Sequence, residues 1–347
     1  MSLVTYVDLL VIGGGPAGLS SATTFSRLKR TCLLYDSELY RNQGVKYAHL
    51  ISGFEHSNPY EFKLKMKEDL LKFYNDTFEF RSGKIINLRK LDFNKGFEAL
   101  DDQNRLINAK KVILATGLKD KLPNIQGVKE QWGKKLIHCI FCHGTETANA
   151  PFAFLLTREN ASMNPKLVES MLKLWRSLNH TEKYILTHGM DVETEQGRKD
   201  AGLEDRYDLL KRLGYKIIST PIMSITETSD GKLMDIKFED NKHLEVPAML
   251  LFPEGFSANE HATPLLTEDF LEDKLAMFGT IAPPSKEMSI TGLPPRMGDD
   301  PRTNVKGLFW AGNSGSAFAN ITISLAQGQN AAVMAGDQIG EEEMNVL

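Results

Sequence analysis

A glycine-rich loop near the N-terminus constrains the fold of this chain more than any other feature. The loop covers residues 13–18, GGGPAG, and follows an apolar strand-like run at residues 7–12. A helical pattern over residues 16–28 comes next, and then a second strand-like run at residues 31–35. A glycine loop between a strand and a helix of a β-α-β unit is typical of a dinucleotide-binding domain.

Each glycine of the loop has a distinct expected role in such a site. Gly13 allows the tight turn, Gly15 admits a pyrophosphate, and Gly18 lets the helix pack closely on the strand. The free amides of the helix N-terminus would hold the anion. Asp36 ends the second strand about twenty residues further on, where an acidic side chain accepts hydrogen bonds from ribose hydroxyls. The sequence therefore predicts Gly13, Gly15, Gly18 and Asp36 as cofactor-binding residues.

A pair of cysteines flanked by histidines is the second informative motif. It reads His138-Cys139-Ile140-Phe141-Cys142-His143, and the only other cysteine, Cys32, lies in an apolar run that predicts a core position. Such a pair is usually a redox or a metal site where thiols stay reduced. Covalent haem, zinc and a structural dithiol are the alternatives. No second CxxC or paired histidine cluster completes a zinc site, so we predict a redox pair and no metal.

The arrangement of strands predicts two domains, one inserted into the other. Residues 111–117 and 307–313 read as further strands, and residues 119–252 between them contain their own alternation of strands and helices. The predicted fold class is α/β, with two Rossmann-like three-layer domains. The expected division is a first part at residues 1–118, the CxxC-bearing insertion at 119–252, and a second part at 253–347.

Charge and composition exclude several classes of partner. The chain has 347 residues, of which 41% are apolar and 25% are charged, and its net charge is −4. A net charge of this sign and size gives no broad positive electrostatic potential that would attract nucleic acid or acidic membranes. No apolar run reaches the 18 or more residues of a membrane span, and the start, MSLVTYVDLL, lacks the basic region of a signal peptide. We expect a cytoplasmic protein.

Taken together, the motifs resemble the low-molecular-weight thioredoxin reductases over nearly the whole chain. The glycine loop, LKDKLPNIQG after Ala-Thr-Gly, the CxxC and GLFWAGN occur in that order. The chain is more similar still to a subgroup, the flavin-dependent dithiol oxidases that close disulfides in natural products such as gliotoxin and holomycin. The segments shared with the subgroup are Asp36-Ser37, Tyr40-Arg41-Asn42, Trp132-Gly133 and the run from His138 to Glu146.

The resemblance implies FAD as the cofactor, a homodimer, and Cys142 as the sulfur that faces the flavin. It also implies that a group of residues lies along the flavin: Arg41, Asn42, Thr116, Gly117, Asn313 and Ile321. Two departures stand out, because Ile140-Phe141 replaces the frequent Pro-Tyr and Asn313 replaces the usual aspartate. An asparagine can still bond a flavin hydroxyl or pyrophosphate.

A nicotinamide site is not expected in the inserted domain. A thioredoxin reductase binds NADPH on a second glycine loop, whereas this chain has no glycine from Thr145 to His188. Side chains in the corresponding loop, residues 157–165, would obstruct a pyrophosphate. Asp191, Glu193 and Glu195 follow the next strand, where NADPH needs arginines.

The predicted activity is therefore FAD-dependent oxidation of a small-molecule dithiol to a disulfide, with electrons passing to O2 and giving H2O2. Substrate thiolate would attack Cys139, and His143 and His138 would take protons. One alternative is a thioredoxin reductase fed by NADPH or ferredoxin. The other is a non-catalytic flavin-binding protein whose CxxC senses thiol status.

Overall fold

The computed structural model describes residues 4–91, 95–163, 165–258, 300–303, 305–315 and 320–345. Its contacts divide the chain into two units. The first comprises Met1–Arg41, Asn58–Lys119 and Phe256–Leu347, and the second comprises Asn42–Ser57 and Asp120–Gly255. Asn42–Ser57 thus belongs to the second unit, although it falls inside the first segment predicted from sequence. The parts that Phe256–Leu347 contributes are those within the described ranges.

The first unit is built on a mainly parallel sheet. Among the described residues it has seven strands, labelled here in chain order: β1 (Thr5–Ile12), β2 (Cys32–Asp36), β3 (Phe78–Ser82), β4 (Ile85–Lys90), β5 (Phe97–Asp101), β6 (Leu106–Leu114) and β17 (Leu308–Trp310). The spatial order is β3-β2-β1-β6-β5-β4, and β17 also pairs with β6. The pairs β4–β5 and β5–β6 are antiparallel, and the others are parallel.

Three long helices accompany this sheet: α1 (Pro16–Ser26), α2 (Pro59–Phe73) and α9 (Ile321–Met344). Asn58 and Asn320 cap α2 and α9, since their side chains accept hydrogen bonds from backbone N–H groups of the first turn. Helices α1 and α9 approach closely, because a Cβ added at Gly328 would lie 2.2 Å from the carbonyl oxygen of Ala17. Small residues at this contact let the α9 backbone pack against the helix that follows the glycine loop.

The second unit holds a parallel sheet and a smaller antiparallel one. The parallel sheet has the order β11-β10-β9-β15-β8. Its strands are β8 (Leu136–Ile137), β9 (Phe152–Leu155), β10 (Lys183–Leu186), β11 (Lys216–Ile218) and β15 (Met249–Leu251). The antiparallel sheet contains β12 (Ile222–Glu227), β13 (Met234–Phe238) and β14 (His243–Val246). The strands β7 (Leu118–Lys121) and β16 (Gly255–Ala258) carry the chain from one unit to the other.

Short helices complete the second unit: α3 (Val128–Gln131), α4 (Ile140–His143), α5 (Arg158–Met163), α6 (Pro165–Arg176), α7 (Glu195–Asp200) and α8 (Tyr207–Arg212). Helix α6 buries Val168, Leu172 and Trp175, which recur at helical spacing on the face turned to the core. The predicted α/β class with two Rossmann-like domains is confirmed. Across the described ranges, no helix is both long and apolar enough to cross a membrane.

Candidate functional site

The register of the first sheet gathers four strand ends at one edge. Ile12 of β1 lies opposite Leu114 of β6 and opposite Tyr35 of β2. Trp310 of β17 also lies opposite Leu114. These strands are parallel, so the residues that follow each of them emerge together. Ligands of open α/β sheets bind at such carboxyl ends.

The glycine loop leaves that edge and fits a pyrophosphate. Gly13 has φ of +117°, and a Cβ there would lie 2.3 Å from the carbonyl oxygen of Ala115. A Cβ at Gly18 would lie 1.8 Å from the carbonyl oxygen of Gly13. At Gly15, by contrast, an added Cβ would meet no described atom within 4 Å. The geometry thus needs glycine for packing at positions 13 and 18, and leaves open space at 15.

Helix α1 begins at this open space. Gly15 is its N-cap and Pro16 follows, and no described side chain caps the first-turn N–H groups. Free amides together with the helix dipole attract an anion. The residues present therefore fit the diphosphate of the FAD that the resemblance implies.

Asp36 lies beside the loop and is held by its own neighbours. The carboxylate is buried, and it accepts hydrogen bonds from the Tyr40 hydroxyl at 2.5 Å and the Glu38 backbone N–H at 2.8 Å. The ammonium of Lys63 lies over the Tyr40 ring, 2.9 Å from its centroid. Burial lowers the pKa of Lys63 to about 8, while the Asp36 carboxylate acts in the opposite direction. Tyr40 and Lys63 were not predicted as site residues, and they orient and enclose the acid.

The remaining predicted flavin residues fall in both units. Gly117 follows β6 with φ of +71°, and a Cβ there would meet no described atom within 4 Å. The guanidinium of Arg41 lies 5.5 Å from the centroid of the Phe256 ring. Thr116, Asn313 and Ile321 also belong to the first unit, whereas Asn42 belongs to the second. Their contacts with FAD stay predictions.

The two cysteines of the motif form a disulfide at the start of α4. The backbone N–H of Cys142 donates to Cys139 Sγ at 3.1 Å. Both cysteines are partly exposed, and Phe141 between them is 61% exposed. Cys32, in contrast, is buried as predicted, and burial raises the pKa of its thiol. The disulfide therefore lies in a partly exposed segment of the second unit.

The two histidines of the motif have different surroundings. His143 is partly buried, and burial is the main reason why its pKa is lowered. Nearby His49 lowers that pKa further, and Glu146 opposes the shift. A neutral imidazole can accept a proton from a thiol. The ring of His138 lies 5.7 Å from that of Trp132, centroid to centroid.

A set of residues outside the predicted site adjoins His143. The ring centroids of His49 and His143 lie 5.8 Å apart, edge to face. His49 Nδ1 is 2.6 Å from Glu55 Oε1, and its Nε2 is 3.1 Å from Glu146 Oε1. Glu146 lies within the resembling motif, but nothing in the sequence connects it with a histidine almost one hundred positions earlier.

A buried hydrogen-bond chain anchors the CxxC segment to the core of the second unit. Trp175 Nε1–H donates to His180 Nδ1 at 2.8 Å, and His180 Nε2 lies 2.8 Å from Thr147 Oγ1. The Thr147 hydroxyl donates to the carbonyl oxygen of Gly144, just after α4. Because His180 Nδ1 accepts, the neutral ring donates through Nε2.

Only a short loop at residues 156–157 separates β9 from α5, so most of the region predicted as a loop, residues 157–165, is helical. Side chains of this loop and of α5 fill the place where a second dinucleotide site would lie. Asn160 Oδ1 accepts from the Thr157 backbone N–H at 3.0 Å, and Asn160 Nδ2 donates to the carbonyl oxygen of Phe252 at 3.2 Å. Thr157 Oγ1 donates to Glu254 Oε1 at 2.9 Å. Burial, with a contribution from Glu159, raises the pKa of Glu254. Carboxylates at this position disfavour a bound diphosphate.

Comparisons with known proteins agree with this geometry. Residues 7–159 match the family model described as pyridine nucleotide-disulphide oxidoreductase. The chain is 28% identical to thioredoxin reductase tcpT of Claviceps purpurea, over 98% of this chain and 96% of that protein. It is 29% identical to thioredoxin reductase aclD of Aspergillus oryzae, over 97% of each.

Solved structures share the fold. The structure of HlmI matches with a TM-score of 0.77 and 23% identity, covering 98% of this chain and 94% of that one. Thioredoxin reductase from Streptococcus pyogenes matches with a TM-score of 0.73 and 18% identity, covering 97% and 99%. The two-domain architecture of both matches the one described above.

Proposed function

We propose that this chain, which is similar to thioredoxin reductases over nearly its whole length and matches the pyridine nucleotide-disulphide oxidoreductase model over residues 7–159, is a flavoprotein that oxidises a small-molecule dithiol. The product is the corresponding disulfide, and O2 is the final electron acceptor. The observation that carries this choice is the connection after β9, where side-chain hydrogen bonds of Thr157 and of Asn160 in α5 fill the space that a dinucleotide would need. With the glycine loop and the CxxC kept and this space filled, substrate thiols are the electron source that we propose.

The first exchange is an attack of a substrate thiolate on Cys139 Sγ. The Cys139–Cys142 bond breaks, a mixed disulfide forms at Cys139, and Cys142 leaves as a thiolate. The second substrate thiolate then attacks the substrate sulfur of that mixed disulfide, closes the product disulfide and releases Cys139. The Cys142 N–H that points at Cys139 Sγ favours the released thiolate. FAD held by the glycine loop and Asp36 would supply the two-electron chemistry by which the dithiol is reoxidised and O2 is reduced to H2O2.

His143 serves as the proton acceptor in this scheme. Its lowered pKa keeps the ring neutral at physiological pH, so that it can take the proton of the first incoming thiol. His138 lies directly before Cys139 on the other side of the disulfide, and we propose that it takes the second proton. The partners are a small dithiol and O2, and by resemblance a second copy of the chain.

A thioredoxin reductase is the second candidate function. The relatives tcpT and aclD carry that name and match over nearly the whole chain. That function needs reduction of FAD by NADPH or ferredoxin, and the side-chain-filled connection after β9 argues against a nicotinamide. A redox sensor without turnover is the third.

Anaerobic titration of the FAD-bound protein separates these functions. We expect a small dithiol alone to bleach the visible flavin absorbance, and admission of air to restore it with formation of H2O2. Rapid bleaching by NADPH would establish the reductase instead. Slow bleaching without turnover would favour the sensor.

A further inference from the structure

A hairpin-like loop beside the CxxC segment carries two histidines and one glutamate. The backbone closes at Ala48 and Ser57, where the Ala48 N–H donates to the Ser57 carbonyl oxygen at 2.7 Å. This closure places His49 and His56 next to each other at the base of the loop, and their ring centroids lie 5.2 Å apart. We call the segment from Ala48 to Ser57 the histidine loop.

Glu146, from the turn after α4, completes a set of three donor groups. One ring nitrogen of His49, one of His56 and one carboxylate oxygen of Glu146 all lie within 4.8 Å of one another. The distance from His49 Nε2 to Glu146 Oε1 is already 3.1 Å. Ligands of a tetrahedral zinc ion at roughly 2.0–2.1 Å stand about 3.3 Å apart. A small movement of the His56 ring towards the other two ligands would therefore bring all three donor atoms to the spacing of a zinc site.

The surroundings hold these ligands as a metal site requires. His49 Nδ1 faces Glu55 Oε1 at 2.6 Å, and the other oxygen of Glu55 accepts the Leu50 N–H at 2.9 Å. A histidine that binds a metal through one nitrogen commonly donates its other N–H to a carboxylate. The ring of His56 stacks on Tyr47, with centroids 3.9 Å apart.

Exposure is also suitable for an ion that enters from solvent. The His49 side chain is only 8% exposed, whereas Glu146 is 43% exposed. The ring of His56 is exposed too. An ion can therefore approach from the side of His56 and Glu146, with water as a fourth ligand. Two imidazoles and one carboxylate with an open position are a known ligand set for Zn²⁺.

We propose that His49, His56 and Glu146 bind a divalent transition-metal ion of the Zn²⁺ class, oriented by Glu55. The sequence predicted no metal, and the CxxC takes no part in this site. Bound metal would join the histidine loop to the turn after α4, next to the redox pair.

Equilibrium dialysis of the oxidised, FAD-bound protein against Zn²⁺, followed by elemental analysis, tests the proposal. We expect about one Zn²⁺ per chain. His56→Gln and Glu146→Gln should each weaken binding tenfold or more, and Glu55→Ala should weaken it by about 10- to 100-fold. Flavin content and circular dichroism of each variant verify folding.

Two controls make the result specific. His243 is an exposed histidine paired with Asp235, so His243→Gln should bind Zn²⁺ as the unchanged protein does. The double variant Cys139→Ser/Cys142→Ser should also keep the ion, because the thiols are not ligands. The proposal is overturned if no stoichiometric ion is retained, if His56→Gln and Glu146→Gln bind normally, or if loss of the cysteines removes the ion. None of these outcomes depends on oxidase activity.

Discussion

Single residues determine whether the disulfide can work, and Cys142 is the most direct test. Cys142→Ser leaves Cys139 without a partner, so no disulfide is available to accept electrons from a substrate thiol. We expect dithiol-dependent O2 uptake to be abolished while FAD stays bound, because the glycine loop lies in the other unit. Oxygen consumption and flavin absorbance measure the two properties. Cys32→Ala is the matched control, since Cys32 is a buried core residue and its loss should leave turnover in place.

The pKa of His143 predicts the acid limb of the pH profile. Burial, with the nearby His49, lowers this pKa, so the neutral base persists below the ordinary histidine value of about 6.5. The value of kcat/KM should therefore begin to fall only below that pH. His143→Gln should reduce kcat by about 10²- to 10⁴-fold, as expected for loss of a general base. His188, whose pKa burial also lowers, provides the control variant His188→Gln, which should keep the profile.

Some site residues could be predicted from the sequence, and others could not. The pairing of Cys139 with Cys142 and the close approach of Gly18 to Gly13 could be predicted, because both depend on neighbours a few positions away; the catalytic and cofactor roles stay predictions. His49 could not be predicted, since its contact with Glu146 joins distant parts of the chain. Lys63 could not either, because only the fold brings it over Tyr40 beside Asp36.

At the scale of secondary-structure elements, the glycine loop separates packing from cofactor binding. Gly15→Ala places a methyl group in open space, in a backbone conformation that alanine adopts freely. That variant should fold normally but bind FAD more weakly. Gly18→Ala brings its Cβ against the Gly13 carbonyl and should lower the free energy of unfolding as well. Flavin content together with urea denaturation distinguishes the two, and equal stability of both variants would contradict the interpretation.

The hydrogen-bond chain through His180 connects α6 to the CxxC segment and should respond to acid. Burial, with a smaller contribution from Lys183, lowers the pKa of His180 to about 4. The unfolded chain binds a proton near pH 6.5, whereas the folded chain stays neutral until about pH 4. Stability is therefore lost as the pH falls through this window.

Urea denaturation at several pH values measures this effect. His180→Gln lacks the titrating group, so its free energy of unfolding should depend less on pH between 6.5 and 4 than that of the unchanged protein. The pKa values of His143 and His188 are also lowered, and both histidines are present in the two proteins. The difference in pH dependence between the two proteins therefore reports His180 alone. An identical pH dependence would contradict the assignment.

At the scale of the whole molecule, the histidine loop belongs to Asn42–Ser57, a segment of the second unit that is separated in sequence from Asp120–Gly255. Replacing the loop tests whether the activity at the disulfide depends on this separate segment. Replacing residues 48–57 with a Gly/Ser sequence of the same length removes the loop but keeps the connection. We expect FAD to stay bound, since the glycine loop and Asp36 are elsewhere, and dithiol oxidation to fall, because His143 loses its neighbour His49. The turn at residues 228–232, replaced in the same way, is the control.

The two-domain class was predictable because strand–helix alternation and the glycine loop are local patterns. The membership of Asn42–Ser57 in the second unit was not. That membership depends on contacts such as Gly44 with Trp132 and His49 with Glu146, which leave no periodic trace in the sequence.

This membership also has a consequence for anyone who recombines such enzymes. The chain passes between the units four times, at 41/42, 57/58, 119/120 and 255/256. A cassette cut at the two later positions would transfer the disulfide and Glu146 into a new host, but would leave His49, Glu55 and His56 behind. Chimeras with relatives should therefore be joined at all four positions, so that Asn42–Ser57 and Asp120–Gly255 are transferred together.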